Sequence, residues 1–373
     1  MSIQKKISLI TIIDNTNFGT YLQATALGLV LKSKGFYVEI VNYQRPHLTT
    51  SYNVKEAVKK GLLKSVYNIL YRIPRVAYQK KKCRDFVLRY VPFSPTKYTN
   101  YEELVKQSPE ADIYMTGSDQ VWNSIYNKGI DKSYYLDFAP ENKLRVAYAA
   151  SVGMPSFPKD EVSETKALLR KYNSISVREF DVKQLLLNIG IANVEVVLDP
   201  TLLLNGRDWT KLIRNIKKPA EEYLLIYTVE TKKESKIIEL VAKEIARKKK
   251  LKIYAVSYSG RAYGLRFCDK IFYRAAPDTF LNLMYHTQYV VVSSFHGTAF
   301  AINMNKQFFS IIPNRFNTRV KNLLDLCGLE NRLIENEEFS IEKSGTIDFD
   351  KVNQILSSER EKALDYIDRI IKQ

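Results

Sequence analysis

Histidine is scarce in this 373-residue chain, with three residues at 47, 286 and 296. Cysteine is equally scarce, at 83, 268 and 327, and shows no C-x-x-C or other metal-ligand spacing. Three such cysteines make neither a zinc site nor a disulfide framework, and a reducing compartment is expected. Long apolar runs are missing too. The first, ISLITII at 7–13, is closed by Asp14. Nothing approaches the roughly 20 apolar residues of a membrane span, and no signal peptide is visible. A cytoplasmic location is therefore expected. Neither G-x-G-x-x-G nor a Walker sequence follows a strand, which argues against a dinucleotide or a P-loop nucleotide. With no metal cluster in the sequence, no metal and no resident cofactor are expected.

Acidic residues are in deficit, 40 against 57 Lys and Arg, which leaves a net charge of +17. More than half of that excess sits in residues 55–90. Eleven Lys and Arg there face only Glu56 and Asp85, interleaved with Leu, Ile, Val and Tyr. Such a segment can be a solvated basic helix face, an amphipathic stretch resting on an anionic membrane surface, or a nucleic-acid patch. No nucleic-acid motif occurs elsewhere, so a nucleic-acid partner ranks last.

What the chain does have is alternation. Strand-like runs lie at 7–13, 37–43, 111–117, 144–151, 174–179 and 194–200, and a helical pattern fills 21–34. After a polar stretch at 211–222, a second series runs through 223–229, 251–258, 270–275, 289–294 and 308–312, with helical segments at 232–249 and 277–287. The tail 351–372 is again helical. Two successive series predict an α/β protein of two Rossmann-like domains facing each other across a cleft. The expected divisions are an N-terminal domain at 1–210 with a basic insertion at 50–95, a C-terminal domain at 223–345, and a C-terminal helix at 346–373.

In such sheets ligands bind beyond the carboxyl ends of strands, where helix N-termini present free N–H groups. The run YVVVSSFHGTAF (289–300) puts His296 at such a junction, flanked by Ser294 and Gly297. An imidazole there can move protons near neutral pH, or can simply hold its own loop. As a side chain beyond a strand end, His296 is expected to be exposed and to add little to the core. The loop after the first strand offers Asn17 and Gly19 before a helix. The loop after 111–117 offers Ser118, Asp119, Gln120 and Trp122, a set that suits sugar hydroxyls and a C–H face, or that merely caps the next helix. Arg178 ends a strand before Glu179 and reads as a structural ion pair or an anion fork. Asp199-Pro200 reads as a strand-ending turn. Arg319 and Lys321 follow the last strand of the second series and can bind an anion or face solvent.

Taken together, NFGTYLQATAL (17–27), TGSDQVWN (116–123), KLRVAYAASVG (143–153), SISVRE (174–179), VLDPTLLL (197–204) and SSFHGTAFAINMNKQF (293–308) resemble, in order and spacing, the blocks of the polysaccharide pyruvyl transferase family. The resemblance implies a glycosyltransferase-B-like fold. It also implies transfer of a pyruvate ketal (carboxyethylidene) group from phosphoenolpyruvate to two hydroxyls of a sugar in a surface polysaccharide or its lipid-linked precursor. It carries an essential arginine onto Arg178 and an essential histidine onto His296. A further donor-binding cation falls on Arg319, with Lys321 as the alternate. Asp119 is the residue to orient or deprotonate a sugar hydroxyl. The competing reading is a sugar-nucleotide-dependent glycosyltransferase of the same fold. A protein of another class, binding membrane or nucleic acid through the basic segment without catalysis, is the third.

Overall fold

The structure, a computed structural model, describes residues 4–45, 70, 73–214, 216–228, 235–257, 264–273, 275–311, 318–337, 339–342 and 344–372. His47, residues 55–69 and 71–72 of the basic segment, and residues 313–317 lie outside them.

The chain divides into two units. The first is built on β1 (Lys6–Ile10), β2 (Tyr37–Tyr43), β3 (Phe93–Tyr98), β4 (Ile113–Thr116), β5 (Leu144–Ala150), β6 (Ser174–Val177) and β7 (Val194–Val196). They form one sheet in the order β3-β2-β1-β4-β5-β6-β7. Every pairing is parallel, as in Ile7 opposite Val38 and Ile113. Parallel strands need helical crossovers that cover both faces, which is why runs such as Ile113–Thr116 are buried along their whole length. Helices α1 (Phe18–Ser33), α2 (Ile73–Leu88), α3 (Tyr101–Lys106), α4 (Ser124–Asn127), α5 (Val162–Leu169), α6 (Phe180–Asn188) and α7 (Pro200–Leu203) belong to this part of the chain. The apolar core gathers Ile10, Val41, Tyr114, Val121, Trp122, Ala147 and Leu186.

The second unit opens with α8 (Gly206–Lys211). It orders β8 (Tyr223–Tyr227), β9 (Lys252–Val256), β10 (Lys270–Phe272), β11 (Tyr289–Val292), β12 (Gln307–Ile311) and β13 (Leu333–Ile334) as β10-β9-β8-β11-β12-β13, again all parallel. Helices α9 (Ser235–Lys249), α10 (Pro277–His286), α11 (Phe295–Asn303) and α12 (Thr318–Cys327) accompany it. Its core holds Leu224, Ile226, Val241, Ile245, Val291 and Phe309.

The division is discontinuous. Residues 16–19 belong with the second unit, which otherwise spans 204–360, while 361–373 return to the first. The tail is thus not a separate appendage. It is the end of α13 (Phe349–Ile371), and Tyr366 packs on Tyr148, with its hydroxyl donating to the Ala147 carbonyl at 3.3 Å.

Both sheets share one consequence of their order. The first and fourth strands of each series are neighbours, and the chain departs from them toward opposite edges. That reversal opens a crevice beyond the carboxyl ends of the two strands.

Candidate functional site

In the second unit the reversal lies between β8 and β11. Beyond β11 the chain turns through Ser293 and Ser294 into α11. Ser294 caps it, its Oγ accepting from the Gly297 N–H at 3.2 Å. Ser293 Oγ shares a hydrogen bond with Thr228 Oγ1 at 2.6 Å, which ties the two strand ends together. His296 therefore stands in the first turn of α11, among backbone N–H groups that favour negative charge. It is 5% exposed, so the expectation of a solvent-facing imidazole is corrected.

The cover comes from residues 16–19. Phe18 stacks between Tyr227 and Phe280, with ring centroids 5.9 and 5.7 Å away. Asn17 Oδ1 accepts from the Tyr227 hydroxyl and from the Gly19 N–H, each at 3.0 Å. Gly19 is thereby laid against the imidazole, and a Cβ there would overlap His296 Cγ and Nδ1. Gly297 is under the same constraint from the other side. Its added Cβ would meet Ser294 Oγ and Val292 Cγ1, both at 2.9 Å. The two glycines are there for close approach to one ring and its cap.

In the first unit the reversal lies between β1 and β4. Asp119 follows β4 with φ of +82°, a left-handed backbone unusual for a non-glycine residue. Hydrogen bonds from side chain and backbone hold it. Its carboxylate accepts from Thr20 Oγ1 and the Gln120 N–H, each at 2.9 Å, and its carbonyl accepts from the N–H groups of Val121 and Ser151. Arg178, at the end of β6, donates from Nε to Glu179 Oε1 at 2.8 Å and from Nη1 to Asp199 Oδ2 at 2.9 Å. Asp199 also accepts from the Ser118 hydroxyl and from the N–H and hydroxyl of Thr201; Glu179 Oε1 also accepts from Ser151 Oγ. Burial works against the Arg178 cation, yet Glu179, Asp199 and Asp119 together hold its pKa above the ordinary guanidinium range. Glu179 Oε2 is buried with no hydrogen-bond partner among the described residues. A second buried pair, Arg45 on Asp14 at 2.8 Å, stands beyond β1 and β2, and Arg45 Nη1 reaches Asn127 Oδ1 at 3.1 Å.

Several expected site residues turn inward. Trp122 is 1% exposed, its Nε1 donates to the Tyr134 carbonyl at 3.1 Å, and its ring stacks on Tyr135. It offers no face to a sugar and is corrected to a core residue. Ser118 is fully buried, and its hydroxyl is committed to Asp199. Gln120 is buried over Gly153, with Oε1 accepting from Asn123 Nδ2 at 2.8 Å. In α12, Arg319 is half-buried and Lys321 is exposed. The ion pair of Arg178 with Glu179 was one of the two readings of that arginine, but sequence reasoning passed over Asp199 as its second partner, and over Tyr227. The readable signal was their position, since each sits at or just past the carboxyl end of a strand of its own sheet.

Two six- or seven-stranded parallel sheets in this order define a glycosyltransferase-B-like fold. The chain is similar in fold over nearly its whole length to proteins of known structure. One is the UDP-GlcNAc 2-epimerase of Methanocaldococcus jannaschii in complex with UDP-GlcNAc and UDP (13% identity, TM-score 0.53, covering 99% of each chain). Another is S. aureus MnaA with UDP (11% identity, TM-score 0.53, covering 99% of this chain and 97% of that one). No curated protein matches the sequence. Residues 17–315 match the polysaccharide pyruvyl transferase family, and the chain belongs to it.

Proposed function

We propose that the protein transfers a carboxyethylidene group from phosphoenolpyruvate to two hydroxyls of a sugar in a surface polysaccharide or its lipid-linked precursor. The observation that carries this reading is His296. An imidazole in the first turn of a capped helix, closed over by Gly19 and standing among anion-binding N–H groups, supports an acid/base role.

In this reading the second unit handles the donor. The α11 N-terminus and Arg319, with Lys321 as alternate, hold its phosphate or carboxylate. His296 gives a proton to the methylene carbon while a sugar oxygen bonds to C2, so that the hydroxyl adds across the double bond. The second hydroxyl then displaces phosphate at C2. Its oxygen forms the new bond, the C2–O–P oxygen takes the electron pair, and the two hydroxyl protons replace the one given to carbon and the one that leaves with phosphate. The first unit handles the acceptor, where Asp119 is the carboxylate that orients or deprotonates a hydroxyl. Arg178, expected to grip the donor anion with Arg319, is read instead as a positioning residue, because its Nε and Nη1 are given to Glu179 and Asp199. No resident cofactor enters the scheme.

The test is to incubate the protein with phosphoenolpyruvate and lipid-linked or synthetic glycans, then to measure released phosphate and the mass gain of a ketal. His296→Ala is expected to lose phosphate release by about 10²–10⁴-fold, the range for a removed acid/base group. Near-normal release would sink the assignment. The competing sugar-nucleotide transferase is favoured by the likeness in fold to UDP-sugar enzymes. Thermal stabilisation by UDP- or GDP-sugars and not by phosphoenolpyruvate would select it.

We further propose that the basic segment holds the enzyme at an anionic membrane surface. Among the described residues no helix is long and apolar enough to cross a membrane. Within α2, Lys81 is exposed and pairs with Asp85, whereas Arg84 lies over the Phe93 ring and reaches Asn42. Part of the charge is thus spent internally. Binding to anionic liposomes should fall with salt and in a Lys80, Lys81 and Lys82 to Gln variant. Equal binding to neutral liposomes would reject the idea.

A further inference from the structure

A cleft of about 490 Å³ lies in the second unit, at the opposite end of α11 from His296. Its size is in the range of small-molecule sites, about 300–1,000 Å³. Its walls come from the unit's first and last stretches of chain and from the loop closing α11. Asn205 and Arg207 belong to the first, Asn353 and Arg360 to the last, and Asn303 and Asn305 to the loop. Tyr285, 43% exposed, supplies an aromatic face.

The lining is unusual in two ways. Among the described residues it is lined by two arginines and no carboxylate. Lys306 adds a third positive charge behind Tyr285, donating to its carbonyl at 2.6 Å. It also carries four asparagines, whose amides both donate and accept, as sugar hydroxyls do. Part of this wall is fixed in place: Arg360 Nη2 donates to Asn303 Oδ1 at 2.8 Å, and Asn303 Nδ2 donates to the Leu204 carbonyl at 2.7 Å. Guanidinium groups select a carboxylate or phosphate, the amides select hydroxyls, and a tyrosine ring takes a C–H face.

We propose that this cleft binds an acidic saccharide, separately from the catalytic chemistry. From His296 to Asn303 the helix rises roughly 10 Å, and the two stand at opposite ends of the sheet. The proposal stands apart from the donor reading, since any acidic glycan would satisfy it.

Titration calorimetry with the full chain tests it, using trigalacturonate, maltotriose and inorganic phosphate as probes. Trigalacturonate should bind at least ten-fold tighter than either of the others. The double variant Arg207→Gln with Asn353→Asp should lose ten-fold or more, because it removes one cation and adds a repelling charge, with the melting temperature kept as the folding control. His296→Ala should bind as the unaltered chain does. Loss of binding in His296→Ala would place the ligand at the other site and overturn the proposal. So would phosphate binding as tightly as the trisaccharide, or full affinity in the double variant.

Discussion

The two strand-reversal points of this molecule share a topology and differ in chemistry. Beyond β1 and β4 stands a buried charge network, with Asp119, Glu179 and Asp199 gathered about Arg178 and a second pair in Arg45 and Asp14. Beyond β8 and β11 the groups are hydroxyls, backbone N–H groups and one imidazole, packed so closely that two positions tolerate only glycine. The first point is held by electrostatics that burial makes expensive to break. The second is held by fit. A substitution in the first should therefore register mainly as lost stability, and one in the second mainly as lost chemistry.

The largest expected effect tests the charged side. Arg178→Ala would leave Glu179 and Asp199 buried without their cation, and removing one partner of a buried pair costs about 3–5 kcal/mol. Chemical denaturation should show a fall of that order. Arg178→Lys should recover part of it, since a point charge cannot serve two acceptors as a planar fork does. An unchanged denaturation midpoint, with loss of phosphoenolpyruvate affinity alone, would return Arg178 to the role of an anion fork and break the comparison.

Gly19→Ala tests the fitted side. The added methyl must displace the His296 ring, and overpacking costs about 1–3 kcal/mol. Phosphate release should fall by more than the stability loss accounts for, measured well below the melting temperature. Activity that merely follows the folded fraction would show that the imidazole's placement does not matter.

Why one side was readable and the other was not follows from what each rests on. His296 announced itself through a strand-to-helix junction in a chain with three histidines. The α/β alternation was visible because parallel strands buried on both faces read as continuous apolar runs, as in Tyr289–Val292. The edge strand Phe93–Tyr98 escaped, because Pro95 and Lys97 interrupt its pattern and edges tolerate both. Beyond the adjacent Arg178 and Glu179, the charge network was invisible because its partners lie far apart in sequence. Ser118 meets Asp199 across 81 positions, and no local pattern marks that contact. Trp122 misled for a related reason. A tryptophan among polar residues resembles a sugar platform until the left-handed turn at Asp119 carries the chain back and buries the ring beneath Tyr135.

A matched pair of serines sharpens the contrast at smaller scale. Ser118→Ala removes a buried hydrogen bond to a carboxylate that already answers to Arg178, and bonds to charged groups are worth about 1.5–3 kcal/mol. Ser294→Ala removes a neutral helix cap, typically about 1 kcal/mol. The first should be the more destabilising in denaturant. A reversed order would mean that the network tolerates a missing donor better than the helix does.

The smallest stability effect carries the most information about the donor. Ser294→Asp keeps a favoured capping side chain and adds negative charge at a helix N-terminus, which ordinarily stabilises by about 0.3–1 kcal/mol. On stability alone the variant should match or exceed the unaltered chain. If the donor's phosphate or carboxylate sits at that N-terminus, however, the new carboxylate competes for the same N–H groups and repels the incoming anion. Ser294→Asp should then be less active than Ser294→Ala despite being more stable, with the deficit appearing chiefly as a raised KM for phosphoenolpyruvate. A stable aspartate variant with an unchanged KM would remove the donor from the head of α11 and leave His296 there without an anion to act on.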